Sequence, residues 1–242
     1  MRAFMPGLLS VLCCILGGCA APPLAVSKPR GSGATAARFA ATAFFVRGDG
    51  LAVTAAHAVA GCRALRIKGD PGGMRPTPAR AVLADPARDL ALLQSDADTS
   101  PAVLGLATPP VGGMEALRAL GYPAAEDGVL EDVQPRAIRP RVQPDTPDPR
   151  FAVWIADPAI GHGWSGGPVL SGGRVVGVVL SVMTDTTELR RVVGRAEPGV
   201  ATGADVEAVR HLLAQAGVAA SAARGRPQDA VVRVLCERPA PP

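Results

Sequence analysis

Three residues of this 242-residue chain, His57, Asp89 and Ser165, are of the types that together break acyl bonds. Ser165 stands in Gly161-His162-Gly163-Trp164-Ser165-Gly166-Gly167-Pro168, with apolar runs at 151–155 and 175–180 on either side. A serine set among glycines between two such runs reads as a tight loop that joins two strands and holds one hydroxyl at a fixed point. That hydroxyl is a weak nucleophile near neutrality, so it needs a base to take its proton and a group to orient the base. An imidazole suits the first role because its unperturbed pKa lies close to neutral. His57 closes the apolar run that starts at Leu51, a run expected to be a strand, and Asp89 opens the run Leu90-Ala91-Leu92-Leu93. Alone, Asp89 reads as a turn acceptor at the start of a strand. With His57 and Ser165 in the chain it is the best orienting carboxylate, because an apolar run able to bury it follows directly.

The segments TAAH ending at His57, DLALL beginning at Asp89 and GWSGGPVL around Ser165 resemble, in that order, the chymotrypsin-type serine peptidases. The resemblance covers about residues 39–216 and extends to bacterial members of the high-temperature-requirement type. It implies an all-β fold of two antiparallel six-stranded barrels with a C-terminal helix. It also implies a serine endopeptidase that works through an acyl-enzyme, with His57 as base, Asp89 as its orienter and Ser165 as nucleophile. The backbone amides of Gly163 and Ser165 would form the oxyanion hole, and Ala159, Leu180, Ser181 and Val182 would line the primary substrate pocket. In the family a carboxylate at the pocket base marks preference for lysine or arginine; Ala159 holds that position here, which implies small or medium aliphatic residues instead, with Asp157 the nearest carboxylate. The pattern departs from the digestive branch at Trp164, where an aspartate would receive the ammonium freed on zymogen cleavage. Activation by that salt bridge is not expected.

The elements that must position these residues are short. Hydrophobic residues make up 48% of the chain and aromatics only 3%, so valine, leucine and alanine must fill the core. The resemblance implies a first barrel over about residues 39–106, a connection near 107–113 and a second barrel over about 114–201. A proline-rich polar stretch at 134–150 reads as a surface loop, and 191–194 as a short strand. A helix is expected over 202–216, with Thr202 as its cap and Gly217 as its end. Residues 221–242 are expected to be a C-terminal tail, with a last strand possible at 230–235. That stretch is too short for a PDZ-type peptide-binding domain. His211 reads as a surface or packing residue of the helix, His162 as a solvent-facing loop residue, and Trp164 as packing beneath the loop.

At the other end, Arg2, the apolar residues 8–16 and Leu16-Gly17-Gly18-Cys19 form a targeting segment too short to remain as a spanning helix. It resembles a bacterial lipobox. The resemblance implies a signal peptide at 1–18, acylation of Cys19 and a periplasm-facing lipid anchor, and Ala20 implies the outer membrane. The alternative is an ordinary signal peptide, leaving the protein periplasmic or secreted. Residues 19–38, rich in Pro, Gly, Ala and Ser, form a flexible tether. Export leaves Cys62 and Cys236 in an oxidising compartment, where they either pair or stand as two free thiols.

Other functions fit less well. The net charge of +4 comes from scattered arginines with no like-charge run, which gives no reading of nucleic-acid binding. Three histidines and isolated cysteines show no metal-ligand spacing, and no cofactor is expected. Gly163-Trp164-Ser165-Gly166-Gly167 also fits a nucleophile elbow, but in that fold acid and histidine follow the serine, and helices alternate with strands. The expected partners are protein or peptide substrates and, through the anchor, a membrane. The rival reading is a catalytically silent, protease-like scaffold that binds a peptide or protein partner.

Overall fold

Apolar runs of four to ten residues, cut by glycine and proline, cannot bury themselves singly and pair edge to edge until the sheets close. In the computed structural model, residues 38–69, 75–96, 102–108, 117–124, 133–140, 152–156, 160–183 and 200–239 are described. The segments assigned above to the signal peptide, Cys19, the tether and the strand at 191–194 lie outside them, apart from residue 38 itself. No helix among the described residues is long and apolar enough to cross a membrane.

Two closed barrels form. The first comprises β1 (Arg38–Phe45), β2 (Leu51–Ala55), β3 (Ala64–Gly69), β4 (Thr77–Asp85), β5 (Leu90–Ser95) and β12 (Val231–Glu237), in the order β1-β12-β3-β4-β5-β2. The second comprises β6 (Leu117–Gly121), β7 (Gln134–Pro140), β8 (Ala152–Ala156), β9 (Pro168–Ser171), β10 (Arg174–Met183) and β11 (Val200–Asp205), in the order β10-β11-β8-β7-β6-β9. All the pairings are antiparallel. Closure leaves no open sheet edge, which removes the usual route to aggregation. Valine, leucine and alanine dominate the buried core, and Phe44, Phe45, Tyr122 and Trp164 are its large aromatic members.

Four boundaries differ from the sequence reading. The run from Leu51 to His57 is not one strand: β2 stops at Ala55, and Ala56–Val59 winds a single helical turn, α1. The Ala56 amide still donates to the Asp89 carbonyl at 2.9 Å, in register with the pairing of β2 and β5, before the chain turns into α1. The first part of the proline-rich stretch is strand β7, not loop. Proline fixes φ near the strand range and only loses a donor, so Pro135 and Pro140 are tolerated near the ends of β7 while Ile138 is buried between them.

The helix is α2 (Val206–Gln215), and residues 202–205 belong to β11, which extends the second barrel to Asp205. Thr202 pairs with Val153 and Ser181, and Asp205 caps the helix by accepting from the Ala208 amide at 2.9 Å. Gly217, at φ 67°, ends it as expected.

The largest correction concerns the first barrel, which residues 39–106 do not complete. Its sixth strand is β12, from the segment read as a tail. Val232, Val234 and Cys236 alternate inward, and β12 fills the gap between β1 and β3, pairing with both. Tyr122 ties the same strand to the second barrel by donating its hydroxyl to the Val231 carbonyl at 3.1 Å, and the Arg233 guanidinium lies 4.9 Å from the Tyr122 ring centre. Cys62 and Cys236 are joined in a disulfide, with Cα atoms 5.4 Å apart. Of the two states open to these thiols, the paired one is present.

Candidate active site

Asp89 is delivered by the turn from β4 to β5. Asp85 organises that turn, its carboxylate accepting from the Arg88 amide at 3.2 Å and the Arg88 guanidinium at 2.8 Å. Burial alone would raise the Asp85 pKa, but the bonds from Arg88 outweigh it and hold the carboxyl below the usual range. Asp89 itself takes φ 52°, a left-handed conformation that aspartate tolerates better than most residues. From there one carboxylate oxygen accepts from the His57 amide at 2.8 Å, and the other lies 2.6 Å from His57 Nδ1. Together with the Ala56 bond to the Asp89 carbonyl, this grips both the main chain and the ring of the histidine. The ring is therefore held with Nε2 as its unbound nitrogen, and the His57 side chain is half exposed.

Ser165 is held from the first barrel. Thr42, fully buried in β1, donates its amide to the Ser165 carbonyl at 2.9 Å and its hydroxyl to the Gly163 carbonyl at 2.7 Å. The same hydroxyl accepts from the Tyr122 amide at 3.1 Å, and the Thr42 carbonyl accepts from the Thr54 hydroxyl at 2.7 Å. Gly166 fits this junction because it has no side chain: at φ 87° an added Cβ would strike the Thr42 carbonyl and come within 2.5 Å of Thr54 Oγ1.

The amides of Gly163 and Ser165 are oriented by their neighbours' carbonyls. In a trans peptide the C=O and N–H point opposite ways. The His162 carbonyl accepts from the Ala124 amide at 2.9 Å and the Trp164 carbonyl from the Gly167 amide at 2.8 Å, so the N–H groups of Gly163 and Ser165 face away from those bonds. The Trp164 amide closes a turn on the Gly161 carbonyl at 3.2 Å, with Gly163 at φ 88°, as a type II turn demands at its third residue. An alanine there would place Cβ against the Tyr122 carbonyl and 2.8 Å from the Ala124 amide. Gly163→Ala is expected to flip this peptide and lower kcat by about 10² to 10³, with a smaller change in KM, measured by steady-state hydrolysis of a peptide substrate.

His57, Asp89, Gly163 and Ser165 line one cleft of about 720 Å³ with Leu180 and Ser181. The Ser165 hydroxyl donates to the Leu180 carbonyl at 3.2 Å. His162 is exposed and lines the cleft as well, while His211 lies on the exposed face of α2, away from it. Trp164 is fully buried, its ring against Gly121, and fills with apolar contact the place where the digestive enzymes carry a charge. Ala159 and Asp157 lie outside the described residues, and of Val182 only the strand backbone is described. Sequence reasoning missed Thr42, Ala124 and Arg238. The Arg238 guanidinium donates to the His57 carbonyl at 3.0 Å and also lines the cleft. A lone threonine inside the apolar run Ala41–Phe45 was the available sign for Thr42; the sequence carries none for the other two.

The model of trypsin-like peptidase domains matches residues 41–178. The uncharacterized protein y4bJ of Sinorhizobium fredii is 34% identical over 167 residues, which is 66% of this chain and 25% of that protein. The chain thus spans about a quarter of the length of this curated relative. Among solved structures, the active form of the Rv3671c protease from M. tuberculosis superposes with a TM-score of 0.55 at 22% identity, covering 81% of this chain and 87% of that one. An inactive form of Rv3671c from M. tuberculosis H37Rv gives 0.55 at 25% identity, covering 73% and 81%. With the family model matching more than half of its length, the chain belongs to the trypsin-like peptidase domain family.

Proposed function

We propose that the protein is a serine endopeptidase that cleaves peptide bonds through an acyl-enzyme, with Ser165, His57 and Asp89 as its triad. The observation that carries this reading is the Asp89 carboxylate gripping both the amide and the ring of His57 at the edge of the cleft that Ser165 lines. In the first step Ser165 Oγ attacks the scissile carbonyl and its proton passes to His57 Nε2. Asp89 keeps the other ring proton on Nδ1 and stabilises the imidazolium that forms. The carbonyl oxygen becomes an oxyanion that accepts from the Gly163 and Ser165 amides, already held by the bonds to their neighbouring carbonyls. His57 then returns its proton to the leaving amine as the C–N bond breaks, leaving an ester on Ser165. Water attacks that ester with His57 again as base, and the acid product leaves.

One observation favours the scaffold reading: the Ser165 hydroxyl is turned to the Leu180 carbonyl. A hydroxyl leaves such a bond by rotating about χ1 between staggered positions, so substrate can draw it toward His57. Labelling with a fluorophosphonate probe separates the two readings. An endopeptidase gives one covalent adduct, on Ser165; a silent scaffold gives none, and that result would sink the proposal.

The cleft wall at Leu180 and Ser181 offers apolar surface and a hydroxyl but no charge. A lysine or arginine buried there would lose hydration without a partner, at a cost of several kcal/mol. Cleavage after alanine, valine or leucine is expected in a peptide library varied at the residue before the scissile bond. A clear preference for arginine or lysine would point to Asp157 instead.

The lipobox resemblance leads us to propose a periplasm-facing anchor through Cys19, where a diacylglycerol and an amide-linked chain would together hold the protein stably at the envelope. Cys19→Ala is expected to give an unprocessed or soluble form. Unchanged membrane fractionation with wild-type mass would rule the anchor out.

A further inference from the structure

Strands β12, β3 and β4 lie side by side in the first barrel, and with the residues that lead into two of them they carry Arg63, Arg66, Lys68, Arg75, Arg80 and Arg233 against Asp85 and Glu237. Six positive against two negative leaves an excess of four. The formal net charge of the whole chain is also +4, so the charges everywhere else sum to zero. Ile67 turns into the core and Leu65 packs against it, so Arg66 and Lys68 point outward; Arg80 follows Ala79, which pairs with Leu65 and packs inward as well. Arg63, Arg66, Arg75 and Arg80 are exposed and Lys68 is half-buried, and none of these five is in an ion pair among the described residues. Arg47, Arg88, Arg210 and Arg226, by contrast, each hold a carboxylate. Arg233 adds charge beside the five with its guanidinium over the Tyr122 ring, while Asp85 is buried and bound to Arg88.

A second observation lies on the same face. β4 carries Val82 where its pairing with β5 shifts register, and at 44% it is the one large hydrophobic side chain among the described residues to be so exposed. Pro78, Ala81 and Ala84 of β4 are exposed with it. Basic side chains around exposed aliphatic ones suit the boundary of a bilayer, where the charges meet phosphates and the aliphatic groups reach toward the acyl chains. The three strands carry no aromatic residue on which nucleic-acid bases could stack. We infer that the outer face of β12, β3 and β4 docks on a bilayer surface containing anionic phospholipid, with Arg63, Arg66, Lys68, Arg75 and Arg80 against the headgroups. Each basic residue brought to such a surface multiplies partitioning about fivefold. The inference rests on the anchor reading for the nearness of the bilayer: 19 residues lead from Cys19 to Arg38 at the start of β1, and even fully extended they span at most about 65 Å. Ala40, at the cleft, pairs with Leu235, and Leu235 with Arg66. Two strand spacings put that rim of the cleft about 10 Å from Arg66, so the substrates within reach of the docked protein are segments close to the bilayer.

The chain has two lysines, Lys28 and Lys68, so acetylation of amines followed by peptide mass spectrometry reads this face at a single residue. The full chain is reconstituted with vesicles of phosphatidylcholine alone or of phosphatidylcholine with about 30% phosphatidylglycerol. Lys68 is expected to acetylate about fivefold more slowly on the anionic vesicles, with the difference closing as salt is raised. The double variant Arg66→Glu, Arg80→Glu spares Lys68 and is expected to abolish the difference. Arg118→Glu, Arg174→Glu makes the same charge change at exposed positions of the second barrel and is expected to keep it. Thermal melting confirms that both variants fold. Equal Lys68 rates on the two kinds of vesicle would overturn the inference. So would an equal loss in the second-barrel variant, which would reduce the effect to net charge. Slowing by a DNA oligonucleotide at matched phosphate, as strong as that by the anionic vesicles, would assign the face to a soluble polyanion and also overturn it. If the chain does not sediment with phosphatidylcholine vesicles, the anchor reading fails alone, and the Lys68 rate on added anionic vesicles still decides the face.

Discussion

Ser165→Ala is expected to lower kcat by about 10⁶ while moving KM by only a few-fold. The hydroxyl oxygen is the sole heavy atom removed, and the loop is held through its own main chain: the Ser165 and Gly163 carbonyls to Thr42, Gly166 to Val179, Gly167 to Trp164. The one bond lost is that to the Leu180 carbonyl, worth about 1 kcal/mol to the fold. The residual rate then comes from the oxyanion amides and from holding the substrate, as in other triad enzymes stripped of their nucleophile. His57→Ala is expected to cost a similar factor, and the double variant little more than either, because the two act as a unit. Steady-state kinetics on the three proteins, with thermal melting to confirm folding, measures this. Residual activity above about 1% of wild type in Ser165→Ala would mean that another nucleophile does the work.

Asp89→Asn is expected to cost about 10⁴ in kcat, again with the fold intact. Asparagine suits the left-handed φ of this position as well as aspartate does, so the turn from Asp85 is kept. The carbonyl of the new amide would take over the bond from the His57 main-chain N–H, which the structure gives at 2.8 Å. Its NH₂ group then faces His57 Nδ1, and two donors cannot share that short separation. The ring must answer by moving its proton to Nε2, the nitrogen that has to accept from Ser165. Catalysis fails because the base has the wrong tautomer, not because the histidine has moved. Nitrogen NMR of the imidazole reads this directly: the wild type should carry its proton on Nδ1 and the variant on Nε2. A variant that loses activity with the Nδ1 proton unchanged would argue against this account.

The parts of the site that were legible in the sequence are those whose chemistry is written in consecutive residues. The Ser165 loop declares itself because a tight turn, a free hydroxyl and close backbone approach all demand particular residue types side by side. Asp89 and His57 became readable only as a set. Thr42 and Ala124 act through a hydroxyl or an amide placed by the fold, and an amide has no signature in sequence at all. The start of α2 was misjudged because Thr202 and Asp205 are both good caps, and pairing of residues 200–205 with β8 and β10 decides between them. The prolines of β7 misled for a related reason: they forbid a donor at two positions but not the extended backbone. For β12, alternation of Val232, Val234 and Cys236 announces a strand, yet nothing local says which edge it will join. Partner choice across such a distance is a property of the closed barrel.

That long-range closure sets a clock on the fold. Cys62 and Cys236 are separated by 174 residues, so at a synthesis rate of about 5 to 20 residues per second the strand that seals the first barrel emerges roughly 9 to 35 s after the segment that bears His57. Until then β1 and β3 face each other across a gap, and α1 lacks the Arg238 bond to its His57 carbonyl. A growing chain therefore holds its histidine and aspartate in an unfinished cup, even with the serine loop already made. On the proposed triad, the late strand that completes the first barrel is also the last part needed to hold His57 in place.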